Sequence, residues 1–239
     1  MKKNASICDA NSCFMCRNCL KEWHPAIALG KKNLKLKKGE VLFKEGEPVT
    51  GVYFVYSGSV KVYKKWDDDK ELIIRFAKDG AMLGHRGLGN NRVYPISAAA
   101  LEPSVVCFID NKFFEATLKT NSEFTTQLMY FLVQELCESE KKMRNLAHMP
   151  VKGRVAEALL HLKELYGENE KGFINIDLSR QDLASFAGAT YETVFRVINE
   201  LVKEKLIRLS TRSGNWVRSI RSRRRSRCSS LPRWPKTGT

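Results

Sequence analysis

The sequence predicts an α+β chain in three parts: a roll of short antiparallel strands, one long helix, and a winged helix-turn-helix. Three observations carry this. Between residues 30 and 115, apolar runs of three to five residues alternate with Gly, Pro and Asp turns. Between 119 and 147 an apolar 3–4 spacing runs without a Gly or Pro. Residues 178–201, LSRQDLASFAGATYETVFRVINEL, hold two helical patterns parted by a glycine.

The strand runs are Val41-Leu42-Phe43, Val52 to Val55, Val60 to Tyr63, Leu72 to Phe76 and Val105 to Ile109. Between them fall Gly39, Glu45-Gly46-Glu47-Pro48, Ser57-Gly58, the acidic tip Asp67-Asp68-Asp69, and Asp79-Gly80. Strands this short at such intervals predict a jelly roll. The glycine-rich stretch 83–91, LGHRGLGNN, reads as a plain loop. The long helix carries Phe124, Leu128, Leu132, Leu136, Met143 and Leu146 on one seam, which Glu135 and Ser139 weaken. Such a seam can pack against a second copy as a coiled coil or cover the roll. If it does dimerise, a weakened seam suits a dimer whose stability depends on the sensor.

Residues 151–166 read as a helix with Val155, Leu159, Leu162 and Leu165 inward and Gly167 closing it, and Phe173 to Ile176 reads as a short strand. In the next helix Ser179 is the N-cap and Asp182 its reciprocal partner. Leu183, Ala184 and Ala187 share one face, and Gly188 supplies the tight turn. Thr190 caps the second helix, whose apolar stripe is Val194, Val197, Ile198 and Leu201. Helix, glycine turn, helix is the helix-turn-helix pattern, although an ordinary helical hairpin shares it. Glu192 and Arg196 stand four apart on the second helix, near the end that enters a major groove. Beyond it, Ile207 to Ser210 and Asn215 to Val217 flank Ser213-Gly214 as a wing hairpin.

The chain of 239 residues is 43% hydrophobic and 10% aromatic, which suits a globular protein. There is no run of eighteen apolar residues to cross a membrane and no apolar core of a signal peptide at the N-terminus, so a cytoplasmic location is expected. The net charge of +15 suits a polyanionic partner. Its distribution is uneven: eight Lys/Arg and no Asp/Glu lie between Arg218 and the end, and without them the charge falls to +7. That tail reads either as a disordered basic arm or as a frameshifted, non-native end, and Cys228 within it has no evident link to the other cysteines.

Cys8, Cys13, Cys16 and Cys19 have the spacing C-x4-C-x2-C-x2-C. Short consecutive gaps let one loop aim several thiolates at one point, which suits zinc or an iron–sulfur centre. Spacing alone does not choose between them. Cys107, in Val105-Val106-Cys107-Phe108-Ile109, reads by itself as a small buried strand residue. The histidines at 24, 85, 148 and 161 show no ligand spacing, and no nucleophile–base pattern or phosphate loop marks an enzyme. An iron–sulfur electron carrier is the reading from another class; the helix-turn-helix opposes it, since an electron carrier has no use for a base-reading helix.

Residues 178–201, above all Glu192-Thr193-Val194-Phe195-Arg196, resemble the helix-turn-helix of the Crp/Fnr transcription regulators. Gly39, Gly46 and Gly58 match glycines of that family's cyclic-nucleotide-binding β-roll, and 119–149 resembles its dimerisation helix. The resemblance implies a homodimer that binds a double-stranded DNA operator and works with RNA polymerase. It divides the chain into a cysteine-rich segment 1–29, a roll 30–118, a helix 119–149, a DNA-binding domain 150–217 and a tail 218–239. Arg196 is implied to bond guanine and Glu192 to accept from cytosine, with Ser179, Arg180, Thr190 and Tyr191 at phosphates. Phe195 replaces the small residue usual there; it can touch a thymine methyl or block that contact.

Ala100 to Cys107, ALEPSVVC, resembles the Fnr segment that carries the distant ligand of an oxygen-labile [4Fe–4S] cluster. This implies Cys13, Cys16, Cys19 and Cys107 as ligands. The family's last gap is longer than the one between Cys16 and Cys19, so Cys8-Cys13-Cys16 stays open, as does a zinc site or thiol switch. Crp-like members grip a cyclic nucleotide with Gly-Glu and a later arginine. Here His85 follows Gly84 and Tyr94 stands at the arginine position, with Arg92 two residues away, so no cyclic nucleotide is expected.

Overall fold

The computed structural model describes residues 12–67 and 70–209, with the backbone of 216–218. In chain order the elements are α1 (Phe14–Asn18), α2 (His24–Gly30), β1 (Lys32–Leu36), β2 (Val41–Phe43), β3 (Gly51–Ser57), β4 (Val60–Lys65), β5 (Glu71–Ala77), β6 (Met82–Leu83), β7 (Ser97–Ala100) and β8 (Ser104–Asp110). There follow α3 (Asn111–Thr120), α4 (Ser122–His148), α5 (Val151–Tyr166), α6 (Arg180–Ala187), α7 (Tyr191–Lys203), β9 (Arg208–Leu209) and β10 (Trp216–Arg218). Cys8, the tip of the acidic turn, the wing turn and the tail beyond Arg218 lie outside the described residues.

The roll is two antiparallel sheets, ordered β1-β8-β3-β6 and β2-β7-β4-β5. Their inner faces share one core that includes Phe43, Tyr53, Val55, Val60, Val62, Ala98 and Val106. All five strands read from apolar runs form. Three further strands, β1, β6 and β7, lack a clear apolar run. β1 alternates lysine with apolar residues and looks like surface. β6 is two residues long. β7 is Ser-Ala-Ala-Ala, poor in strand propensity but wholly buried. The segment 83–91 is also not a plain loop: it carries a 3-10 turn at His85–Gly87.

The expected strand at Phe173 to Ile176 is reduced to an isolated bridge between Ile174 and Glu168. The Asn169 side chain explains this. It accepts from the amides of both Lys171 and Phe173 at 3.0 Å, curling the segment into a turn. The wing forms as expected, with β9 pairing β10.

The long helix begins at Ser122 rather than 119, because Asn121 separates it from α3. Its apolar residues do not form one seam. Phe124 and Leu128 are buried in the layer that also holds Phe131, against the outer face of the roll. Met129, Leu132, Val133, Leu136 and Met143 point to solvent instead, Leu136 59% and Met143 65% exposed. Met129, Leu136 and Met143 repeat every seven residues, the period of a coiled-coil face.

Glu135 is on neither stripe. Its carboxylate meets Arg86 Nη2 at 2.9 Å and Arg75 Nη1 at 3.3 Å, tying α4 to the roll. Burial opposes its ionisation; the facing His85 and the two guanidiniums overcome burial and bring it down to about 2. Burial lowers the His85 pKa, and its Nε2 lies 3.7 Å from Glu135, beyond hydrogen-bond reach. The Arg75 and Arg86 guanidiniums are the cations within hydrogen-bond reach of the Glu135 carboxylate.

The DNA-binding domain docks on the β4–β5 hairpin. Tyr63, Ile73 and Phe76 of the roll share one apolar cluster with α5, α6 and α7. Polar ties frame it. Ser185 Oγ accepts from Ile73 N at 2.9 Å and donates to Glu71 O at 2.7 Å. Lys61 pairs with Asp182 at 2.8 Å and also with Glu71. From α4, Lys142 donates to Ile73 O at 2.6 Å, and burial lowers its ammonium to about 8.

Candidate cysteine sensor and DNA-reading face

The cysteine region is a layer on the outer face of the roll. Side chains alternate along β8, so Val106 points into the roll while Cys107 and Ile109 point out. Cys107 pairs in register with Phe54 of β3 and Asn33 of β1. Over this face lies the N-terminal segment, so that Cys16, Cys19 and Cys107 are buried in one cluster with Met15, Val52, Phe54 and Phe124, and Cys13 packs at its margin.

Named bonds hold the segment there. Phe14 N donates to Gly80 O at 3.1 Å. A Cβ on Gly80, whose φ is +84°, would stand 1.9 Å from Ser12 O, so only glycine lets the segment approach. Leu20 N donates to Asn121 Oδ1 at 3.0 Å, and Trp23 Nε1 to Thr117 Oγ1 at 3.1 Å. Cys16 O accepts from His24 Nε2 at 2.9 Å, which assigns the ring proton to that nitrogen. Phe14 packs against Phe124 and Phe131 of α4 at 5.9 and 5.2 Å. The cysteine segment and the long helix therefore share side-chain contacts.

Burial, helped by the neighbouring Cys13, pushes the Cys19 thiol up to about 12. It stays protonated at neutral pH unless a cationic centre takes the proton's place. Among the described residues, no three His, Cys, Asp or Glu side chains are placed to hold a metal ion. A tetrahedral zinc ion needs its sulfurs about 3.8 Å apart, from Zn–S bonds of about 2.3 Å. A polynuclear cluster spreads its thiolates wider. The donor set, soft sulfurs in an apolar layer, fits an iron–sulfur centre in kind.

Inside the roll, Tyr94 fills the place at which the family resemblance puts an anion-gripping arginine. It is 2% exposed, stacks on Phe43 at 4.2 Å, and its hydroxyl donates to Gly51 O at 2.9 Å. Arg92 turns outward, at φ +48°, to pair with Glu115 at 2.8 Å. His85 faces Glu135 rather than the interior of the roll.

The DNA-reading face is built by local capping. Ser179 Oγ accepts from Asp182 N at 3.0 Å. The reciprocal half of the expected capping box differs: the Asp182 carboxylate accepts the Ser179 hydroxyl at 2.5 Å and Lys61, not the Ser179 amide. Gly188 closes α6 in the left-handed region at φ +63°. Thr190 Oγ1 accepts from Thr193 N at 3.4 Å to start α7. Val194, Val197, Ile198 and Leu201 are buried, and Glu192, Phe195 and Arg196 are exposed together on the opposite side. Ser179, Arg180, Thr190 and Tyr191 are exposed at the two helix starts. Two contacts escaped the sequence reading: Tyr191 stacks on Phe195 at 6.3 Å, and the Arg180 guanidinium lies over the Phe195 ring at 5.1 Å. The i,i+4 spacing of two aromatics was the available signal for the first.

A roll that carries a long helix into a winged helix-turn-helix defines a DNA-binding transcription regulator. Residues 33–121 match the cyclic nucleotide-binding domain and residues 153–224 the Crp-like helix-turn-helix domain. The chain is 32% identical over 176 residues to an "Anaerobic regulatory protein" of Bacillus subtilis, covering 72% of this chain and 74% of that one. It is 28% identical over 207 residues to a "CRP-like cAMP-activated global transcriptional regulator" of Mycobacterium tuberculosis, covering 84% and 92%. Its fold matches FixK2 from Bradyrhizobium japonicum with a TM-score of 0.70 at 24% identity, over 81% of this chain and 93% of the other. The chain belongs to the Crp/Fnr family of transcription regulators. Members of this family are not enzymes.

Proposed function

We propose that the protein is a homodimeric regulator whose operator binding follows oxygen or redox state through a [4Fe–4S] cluster held by Cys13, Cys16, Cys19 and Cys107. The observation that carries this is the meeting of the N-terminal cysteines and Cys107 of β8 in one buried layer. Bound there, the cluster would supply an oxygen-labile centre. The chain's own part is to bury the sulfurs and keep water out. The layer also includes Phe124 and Leu128 of α4, so a rearrangement among the cysteines bears on the helix that presents Met129, Leu136 and Met143 to a second copy. The likeness to an anaerobic regulatory protein supports the oxygen side of the reading. Tyr94 packed inside the roll, with Arg92 turned outward, argues against a cyclic nucleotide as the signal.

In the DNA-binding domain, Arg196 and Glu192 read a guanine–cytosine pair in each half-site. Ser179, Thr190 and the helix starts anchor phosphates. The dimer acts in the cytoplasm on transcription by RNA polymerase. Purification without air tests the input. A brown protein with iron and sulfide, bleached by air and colourless in Cys107→Ala, is expected. A colourless wild-type protein with stoichiometric zinc overturns the cluster in favour of a zinc site. Footprinting in both states tests the output: protection that is the same before and after air would end the sensing claim.

A further inference from the structure

We propose that Phe76 and Lys78, on the turn between β5 and β6, are positioning residues that set the DNA-binding domain according to the state of the cysteine segment. The inference rests on the cysteine layer as the sensor and gives it a connection to the reading domain besides α4.

Residues 76–82 span two apolar clusters. Phe76 is buried in the cluster of the DNA-binding domain, its ring 4.7 Å from that of Phe186 on α6. Six residues on, Met82 is buried with Cys16, Cys19 and Cys107. Between them Lys78 Nζ donates to Leu165 O, one of the carbonyls that the end of α5 leaves without a helical partner. Gly80 O accepts from Phe14 N at 3.1 Å, at the start of the helix that carries Cys16. One turn thus holds the cysteine segment with one residue and the DNA-binding domain with another, two positions away.

The turn is braced. Ala81 N donates to Lys78 O at 2.9 Å and closes it. Gly80 N donates to Val55 O at 2.7 Å, and Val55 N to Ala81 O at 2.9 Å, which seats it against β3. Arg75 Nη2 donates to Met82 O and ties its two arms together. None of these bonds involves α4. Gly80 also lies so close to Ser12 O that no Cβ fits between them, so the turn and the segment cannot shift independently. A segment that moves to satisfy or release its sulfurs therefore moves the turn, and with it the seats of α5 and α6.

The test uses the full-length protein isolated without air, as wild type, Lys78→Ala and Phe76→Leu, with an operator enriched by wild type from random duplexes. Operator affinity is titrated before and after air, the visible spectrum follows the cysteine centre, and sedimentation follows dimerisation. Colour and the dimerisation response to air are expected to match wild type in both variants. The ratio of anaerobic to aerobic affinity is expected to fall about threefold in Lys78→Ala, with Phe76→Leu changing in the same direction. Lys78 is exposed, so its substitution leaves the core intact. A mere fastening would lower both affinities alike, so an unchanged ratio in Lys78→Ala overturns the proposal. A ratio that falls together with the dimerisation response also overturns it and assigns the coupling to α4. A wild type without colour or without any response to air overturns the sensor reading itself, and the proposal with it.

Discussion

The cysteine layer and the DNA-reading face are built in opposite ways. The reading face is made from one stretch, 178–201, by caps and turns that act over three or four residues. Its side chains already stand where a groove would meet them. The cysteine layer is made from α1, the outer faces of β3 and β8 and the first half of α4. A recognition surface gains from being preorganised. The cysteine layer depends instead on segments distant in sequence being packed together. α4 has one stripe, Phe124 and Leu128, in the layer and another, Met129, Leu136 and Met143, exposed.

The largest effect should come from breaking the reading face. Arg196→Ala removes a bidentate base contact of about 1–3 kcal/mol from each half-site, so a dimer should lose about a hundredfold or more in operator affinity. Nonspecific binding should barely move, because the phosphate contacts remain. A competition titration against random DNA separates the two. Retention of the operator preference would remove Arg196 from the assignment.

Next is the joint between α4 and the roll. Glu135→Gln leaves Arg75 and Arg86 without their carboxylate, and truncating a buried pair costs about 3 kcal/mol. Thermal melts of the apo protein should show it. The same pair sets a pH dependence. The carboxyl lies near 2 folded against 4.5 ordinarily, so the unfolded chain takes up a proton first as acid is added. Stability from Glu135 is therefore complete above about 4.5 and is lost as pH falls towards 2. Glu135→Gln should flatten that window; an unchanged acid limb would show that other carboxylates control it.

Much of the fold was legible because its signals are local. Strand runs bounded by Gly and Asp gave five of the roll's strands, and the spacing of Ser179, Gly188 and Thr190 gave the helix-turn-helix. What escaped was set by tertiary contact. The three alanines of β7 are a strand only because sheet neighbours bury them. Glu135 looked like a flaw in a coiled-coil seam, and the guanidiniums that justify it come from Arg75 and Arg86, far away in sequence. Cys107 was placed beside the N-terminal cysteines by resemblance, since no local pattern distinguishes a ligand from a small buried strand residue. Arg180 over Phe195 links two helices, and spacing within one helix cannot show it.

A smaller effect belongs to the docking of the reading domain. Asp182→Ala takes away both the Lys61 partner and a support for the Ser179 cap. The pair is mostly shielded from solvent, and the cost should be about 1–2 kcal/mol. If docking on the β4–β5 hairpin transmits state to the reading face, this variant should bind its operator with less dependence on air than wild type. Identical dependence would make the contact a fastening only.

The smallest effect expected is Thr190→Ala. It deletes an N-cap whose bond to Thr193 N, at 3.4 Å, is long, so the loss should lie near the low end of the usual range, about 0.5–1 kcal/mol. Because the cap sits one residue before Tyr191, the change should loosen the first turn of α7 and with it the stack on Phe195. Operator affinity should fall severalfold while the preferred sequence stays the same, since Glu192 and Arg196 are retained. A change in the preferred sequence would tie the cap to the base-reading side chains of α7, whereas a uniform loss across all sequences would tie it to phosphate anchoring.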